Sequence, residues 1–344
     1  MFMKKIAEKG WIAYGIILLG IVVAIVAEKE NKVTTKSIFA MDTYMELTAC
    51  GRNSEKAIVA AEEEIYRLDA LLSTGNKASE VAILNRDKKG ELSEDYAYLL
   101  KRSKEIWELT QGAFDITVYP LMQAWGFTEK EYKVPSSEEI KEILSYVNTS
   151  DILFDENTKM VEMAEHTQID FGGIAKGYTS TQIARIMKKY GVKSAMLNLG
   201  GNVQTVGAKS DGSMWRIAIK SPYESIPYLG IVSIKEKAVI TSGNYERYFE
   251  ENGVRYHHII SPRTGMPVQN GLVSVTIVCD DGTLADGLST ALFVMGKEDA
   301  TEFWKAHHEM FDMILCDENG KLYVTEGIVE NFSTELEYEV IETI

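Results

Sequence analysis

The run Asp170-Phe-Gly-Gly-Ile-Ala-Lys-Gly-Tyr178 follows a strand and opens a helix. Its glycines let a ligand come close to the backbone, and the free N–H groups of a first helical turn favour a phosphate. Lys176 adds a positive point charge. The spacing is neither the Walker pattern nor G-x-G-x-x-G, and taken alone it fits a structural glycine turn equally well. A second cluster holds Asp280, Asp281 and Asp286. Asp286 and Thr290 are four residues apart and share a helix face, with Ser289 beside them. Their hard oxygens suit Mg²⁺, which usually keeps substrate phosphates and waters as its other ligands. The structural alternative has Asp286 capping the helix and the other acids solvated. His257-His258 lies on a strand that runs into the turn Ser261-Pro-Arg-Thr-Gly265. A histidine there is either a general base or a hydrogen-bonded structural residue. Adjacent strand residues face opposite ways, so at most one of the pair serves a given site. His307-His308 reads as solvated helix surface. Gly112-Ala-Phe-Asp-Ile-Thr117 and Met41-Asp-Thr43 say little individually.

Positioning these residues requires regular elements. Ser37–Cys50 alternates like a strand. Asn53 or Ser54 caps a helix with Ala57, Ile58, Ala61, Ile65, Leu68 and Leu72 on one face. Further helices are expected from Ser93 to Gly112 and after Pro135-Ser136, and one that ends near Tyr190-Gly191. Strands are expected near 152–154, 160–163, 195–199, 215–220, 230–234, 238–241, 257–260 and 273–279. Two helices, near 285–294 and 299–308, precede a small β ending. Strands and helices mix without strict βαβ alternation, which predicts an α+β fold with mixed sheets and flanking helices.

The chain has 344 residues, of which 25% are charged and 45% hydrophobic, an ordinary globular composition. Its net charge of −15 argues against sequence-independent nucleic-acid binding. Three cysteines are too few and too scattered for a disulfide framework or a Cys-based zinc site. The charge is uneven. Residues 1–27 hold Lys4, Lys5, Lys9 and Glu8; the rest has 33 basic and 50 acidic residues, net −17. Residues 10–27 form 18 uncharged positions, long enough as a helix to span about 27 Å of bilayer. The preceding lysines favour a cytoplasmic N-terminus. The segment reads as a single-pass cell-membrane anchor, with a cleaved signal segment as the alternative. The expected organisation is a basic tail over 1–9, the anchor or signal over 10–27, a polar linker over 28–36 and one extracytoplasmic domain over 37–344.

Taken together, the ordered motifs resemble the ApbE family, the FAD:protein FMN transferases. The matching stretches are Met41-Asp-Thr43, Leu71-Leu-Ser-Thr74 with Ser79-Glu80 and Leu84-Asn85, GAFDITVYPLMQAWGF at 112–127, DFGGIAKGY at 170–178, NLGGNV at 198–203, ITSGNYERYF at 240–249, HIISPRTG at 258–265 and ADGLSTALFVMG at 285–296. The resemblance covers about residues 37–330. It implies that Met41, Ala113, Phe114, Asp115, Asp170, Lys176 and Ile260 line an FAD site. It assigns Gly173 (through its carbonyl), Asp286, Ser289 and Thr290 to Mg²⁺, and His258 to the reacting phosphate. The implied reaction moves FMN from FAD to a threonine of a partner protein and releases AMP. The implied partner is a membrane or extracellular redox protein. Three positions depart from the family pattern. Gly75 replaces a frequent aromatic, at a position tied to the balance between transfer and hydrolysis. Ser261 replaces an Asp before the turn, and Ser289 replaces a second metal carboxylate. The resemblance therefore also admits a Mg²⁺-dependent FAD pyrophosphatase, and a flavin-binding module without turnover is the non-enzymatic alternative.

Overall fold

The structure is a computed structural model that describes residues 32–344. The segment read as an anchor, residues 10–27, lies outside the described residues. Among the described residues no helix is long and apolar enough to cross a membrane.

Strands β1 (Val33–Ala40) and β2 (Thr43–Cys50) pair antiparallel. Strand β1 therefore begins inside the stretch expected as linker. The single strand expected over 37–50 is a hairpin, turning at Met41-Asp42. Both turn residues have positive φ, +49° and +58°, as a type I′ hairpin turn requires. The usual Asn-Gly signal is missing, so no local cue marks the turn. Helix α1 (Ser54–Leu72) buries the predicted apolar stripe. Helix α2 (Glu80–Asp87) and helix α3 (Glu94–Leu109) are capped by Ser79 and Ser93, whose hydroxyls accept from the N–H groups of Ala82 and Tyr96. Strand β3 (Lys89–Glu91) lies between them. Helix α4 (Tyr119–Ala124) precedes helix α5 (Ser137–Leu144), which is capped by Ser136. Strands β4 (Leu153–Asp155) and β5 (Met160–Glu162) join β3 in a small sheet ordered β3-β5-β4. Helix α6 (Ala175–Lys189) follows the glycine run.

Strands β6 (Ser194–Leu199) and β7 (Asn202–Val206) turn at Gly200-Gly201, both at positive φ. A Cβ on Gly200 would lie 2.1 Å from the Thr43 hydroxyl oxygen, so this turn nests against the β1–β2 turn. Strands β8 (Trp215–Lys220) and β9 (Tyr228–Ile234) precede β10 (Ala238–Gly243). Strands β11 (Tyr248–Glu251) and β12 (Val254–His257) form a separate ribbon. The strand expected over 257–260 is thus displaced to 254–257. Its partner β11 was not anticipated, although Asn252-Gly253 between the two is a hairpin signal. Strand β13 (Leu272–Cys279) leads to helices α7 (Gly282–Met295) and α8 (Lys297–His307). Strands β14 (Asp312–Asp317), β15 (Leu322–Thr325), β16 (Phe332–Ser333) and β17 (Tyr338–Ile341) close the chain.

The main sheet has nine strands in the order β1-β2-β6-β7-β10-β13-β14-β15-β17. It is antiparallel except for β15–β17. Neighbouring residues on its strands serve opposite layers. Ile240 and Ile277 pack with apolar residues of α3 and α7. Val239 and Val278 pack instead with Trp215, Ile217, Ile219 and Val232 of the outer sheet, ordered β16-β9-β8. The fold is α+β with mixed sheets and flanking helices, as expected.

Candidate active site

A cleft of about 1030 Å³ opens where the two nested turns, the start of α6 and the middle of α7 meet. That volume is at the upper end of small-molecule pockets, roughly 300–1,000 Å³. Met41, Ala113, Phe114, Asp115, Asp170, Gly173, Lys176, His258, Ile260, Asp286 and Thr290 all line it. Ser289 alone among the expected site residues does not.

Helices α6 and α7 cross through glycine. A Cβ on Gly177 would fall 2.1 Å from the Gly282 carbonyl oxygen and 2.6 Å from the Asp286 Cβ. This closeness brings the Asp286 carboxylate onto the first turn of α6, where the Gly177 N–H donates to Oδ2 at 2.8 Å. Helix α6 has no side-chain cap of its own, so Asp286 serves an orphan donor there and sits at the positive end of the helix dipole. Asp286 caps, but the helix is a neighbouring one. Helix α7 itself is capped by Asp281, which accepts from the N–H groups of Thr283 and Leu284. Asp280 is exposed and paired with Lys237 at 2.9 Å. Burial pushes the Asp286 carboxyl up to about 6, against the opposing pull of Lys176 and the α6 amides.

The donors around Asp286 are hard oxygens. Thr290 is one turn further along α7, and its hydroxyl is 3.3 Å from that of Ser242. A Cβ on Gly173 would lie 3.1 Å from the Phe114 ring and 3.8 Å from the Thr290 hydroxyl. The Gly173 backbone is thus held between these two residues. The Ser289 hydroxyl donates to the Asp286 carbonyl oxygen and meets Ser242, both at 2.8 Å. It holds Ser242, which does line the cleft, in place. Among the described residues no cluster of three or more His, Cys, Asp or Glu gathers to hold a metal. The set suits an ion that draws most ligands from a phosphate substrate and water, and Mg²⁺ is such an ion.

His257 ends β12 and His258 is the first residue beyond the strand, and their rings part. The His257 ring is buried against Phe293 and bonds the Val268 carbonyl through Nε2 at 2.6 Å. It is a structural residue. The His258 ring lines the cleft, with Nδ1 3.2 Å from the Arg247 carbonyl oxygen. A carbonyl only accepts, so Nδ1 carries the proton and Nε2 keeps its lone pair. Burial, with the Arg247 charge as the next contribution, holds the His258 imidazole well below its ordinary value. The ring is therefore neutral at pH 7, with Nε2 unprotonated.

Asp115 and Asp170 behave differently. Asp115 accepts from the Trp107 indole at 3.0 Å, the Thr117 N–H at 2.8 Å, and the Thr149 N–H and hydroxyl at 3.1 and 2.8 Å. Its oxygens are taken, and its work is to hold the Ala113-Phe114 wall. Asp170 accepts from the Gly172 N–H at 3.0 Å. Burial raises its carboxyl above the usual range, with Arg247 and Lys176 opposing. Arg247 and Ser242 line the cleft but were not singled out in the sequence. Both lie within the recognised ITSGNYERYF stretch, which is the signal that marks them. His307, expected to be solvated, is half-buried and stacked on Phe303 at 4.4 Å.

This arrangement has counterparts. A family model described as the ApbE family matches residues 41–315. The FAD:protein FMN transferase of Haemophilus influenzae is 30% identical over 323 residues, covering 89% of this chain and 93% of the relative. That of Vibrio cholerae is 34% identical over 257 residues, covering 72% and 76%. The crystal structure of the ApbE protein from Thermotoga maritima superposes with a TM-score of 0.82 at 33% identity, over 87% of this chain and 99% of that one. The flavin transferase ApbE from Vibrio cholerae gives 0.78 at 26% identity, over 87% and 99%. The chain is an enzyme, a transferase, and belongs to the ApbE family.

Proposed function

We propose that this chain transfers FMN from FAD to a threonine hydroxyl of an acceptor protein and releases AMP, in a Mg²⁺-dependent reaction. One observation carries the reading. A single cleft joins a helix N-terminus flanked by Lys176 and Asp286 to a histidine held neutral with Nε2 free. Lys176, at the positive end of the α6 dipole, binds the pyrophosphate. His258 Nε2 takes the proton as the threonine oxygen bonds the FMN-side phosphorus, and the bond to the AMP phosphate breaks. Asp286, Thr290, Ser242 and the Gly173 carbonyl would hold Mg²⁺, whose contribution is to neutralise charge on the departing AMP. Asp115 keeps the Ala113-Phe114 wall in register for the flavin nucleotide.

We also propose that residues 10–27 anchor the enzyme in the cell membrane. The domain then acts outside the cytoplasm on a membrane or extracellular redox protein. The uncharged run behind three lysines supports this.

The chain is incubated with FAD, Mg²⁺ and an acceptor protein bearing an accessible threonine. Covalent flavin fluorescence on a denaturing gel, with one AMP per label, is the expected result. FAD bound without AMP release would overturn the reading in favour of a binding module. Hydrolysis to FMN and AMP is a second reading, favoured by Gly75. A Cβ there would meet only the Ser73 hydroxyl, at 3.8 Å, so this part of the cleft is open to water. AMP release without labelling selects it.

A further inference from the structure

Strand β8 is the outermost strand of the β16-β9-β8 sheet. Ile217, Ala218, Ile219 and Lys220 line the cleft in succession. Side chains on a strand alternate between faces, so four consecutive lining residues mean that the strand's edge meets the cleft. Among the described residues that edge has no second strand. At one end the Tyr245 hydroxyl donates to the Lys220 carbonyl oxygen at 3.3 Å. An unpaired edge is a template for another extended chain, and folded proteins usually guard it. Here it is sheltered in the same cleft as His258.

The charges along the strand favour one kind of partner. Trp215, Ile217 and Ile219 face the core, while Arg216, Ala218 and Lys220 are exposed on the outward face. Lys220 pairs with Glu246 at 3.2 Å. Arg216 makes no ion pair among the described residues, although the surrounding body is strongly acidic. Ala218 leaves the centre of the strand unobstructed.

We propose that the free edge of β8 receives the acceptor polypeptide as an added strand, with acidic side chains beside Arg216 and the threonine turned into the cleft. Main-chain hydrogen bonds supply affinity and alternate side chains supply selectivity. The acceptor then needs only an extended segment of the right alternation. This inference rests on the transferase reading, and the test separates the two.

The probe is a capped peptide of alternating Glu and Val with one central Thr, added to the full chain with FAD and Mg²⁺. Amide hydrogen exchange of residues 215–220 should slow. N-methylation of the peptide at alternate positions should remove that protection, and methylation at the intervening positions should not. Replacing Glu by Lys in the peptide should weaken binding, and Arg216→Glu should reverse the preference. One exposed ion pair corresponds to a shift of roughly fivefold in apparent affinity. FAD binding, read by quenching of flavin fluorescence, should be unchanged in Arg216→Glu. Protection without flavin labelling of the peptide overturns the transferase reading and leaves the docking edge standing. Labelling without protection of 215–220 overturns the edge. Absence of both, or equal protection by every methylated peptide, also overturns it.

Discussion

Asp115 and Asp286 are both nearly inaccessible, at 8% and 6% exposed, and both line the same cleft. Their surroundings differ. Asp115 is ringed by donors from Trp107, Thr117 and Thr149. Asp286 accepts only from backbone amides of α6 and otherwise faces the cleft. A buried carboxylate costs stability unless partners satisfy it. For Asp115 the protein supplies those partners. For Asp286 it leaves a deficit that a cation would fill. Burial alone therefore singles out neither; the unmet bonding capacity is what sets Asp286 apart.

The largest test of this contrast is Asp286→Ala. If Asp286 holds Mg²⁺ as proposed, AMP release should fall about a thousandfold, because several kcal/mol of charge stabilisation would go with that carboxylate. Activity near the parent level would remove Asp286 from the site. His258→Gln keeps a polar side chain but loses the proton acceptor, and should slow transfer by about a hundredfold. An unchanged rate would place the base elsewhere. Asp115→Ala should act on folding instead. It strands several buried donors and should cost about 3 kcal/mol in urea unfolding. The folded fraction should keep its turnover at saturating FAD, with KM for FAD raised by the loosened Ala113-Phe114 wall. A large loss of turnover at normal stability would give Asp115 a direct ligand role.

Asp286→Asn separates stability from function by pH. The folded protein holds the Asp286 proton up to about pH 6, whereas the ordinary value is 3.8. Between these limits the native state binds the extra proton, so this group lowers stability as pH rises. His257 has the opposite sign. Burial depresses its pKa below 6.5, so its contribution is full above that pH and is lost as pH falls further. Without divalent cations, Asp286→Asn should gain about 1–3 kcal/mol at pH 7, the worth of a shift near two units, while remaining inactive. No gain would mean that the protein already satisfies this carboxylate. Ser289→Ala should have the smallest effect. Loss of its hydrogen bonds should cost about 1 kcal/mol, with the Mg²⁺ requirement unchanged. A sharply raised Mg²⁺ requirement would turn Ser289 from a support of Ser242 into a ligand.

Much of this was legible in the sequence because it is local. Ser93 and Ser136 cap the helices where they were expected, since capping depends on a few neighbouring residues. The rings of His257 and His258 do part as strand alternation predicts, although the strand ends at His257, and the motif order identified the family. What was hidden depends on distant pairing. Nothing near Asp115 in sequence shows that Thr149 will occupy its oxygens. Nothing in helix α7 says that Ser289 turns to Ser242 on β10. The Met41-Asp42 turn escaped notice because its residues do not advertise positive φ. The free side of β8 cannot be read from β8, because an edge is defined by which strand fails to arrive.

The α6–α7 crossing has a consequence for variation. Gly177 is spoken of most easily as packing, yet it works as a spacer set to zero. Even one methyl group would wedge the helices apart and carry the carboxylate of Asp286 off the amides of α6. A substitution at a residue with no reactive atom would then detune the enzyme mechanically. Its chemistry is calibrated by the absence of a side chain.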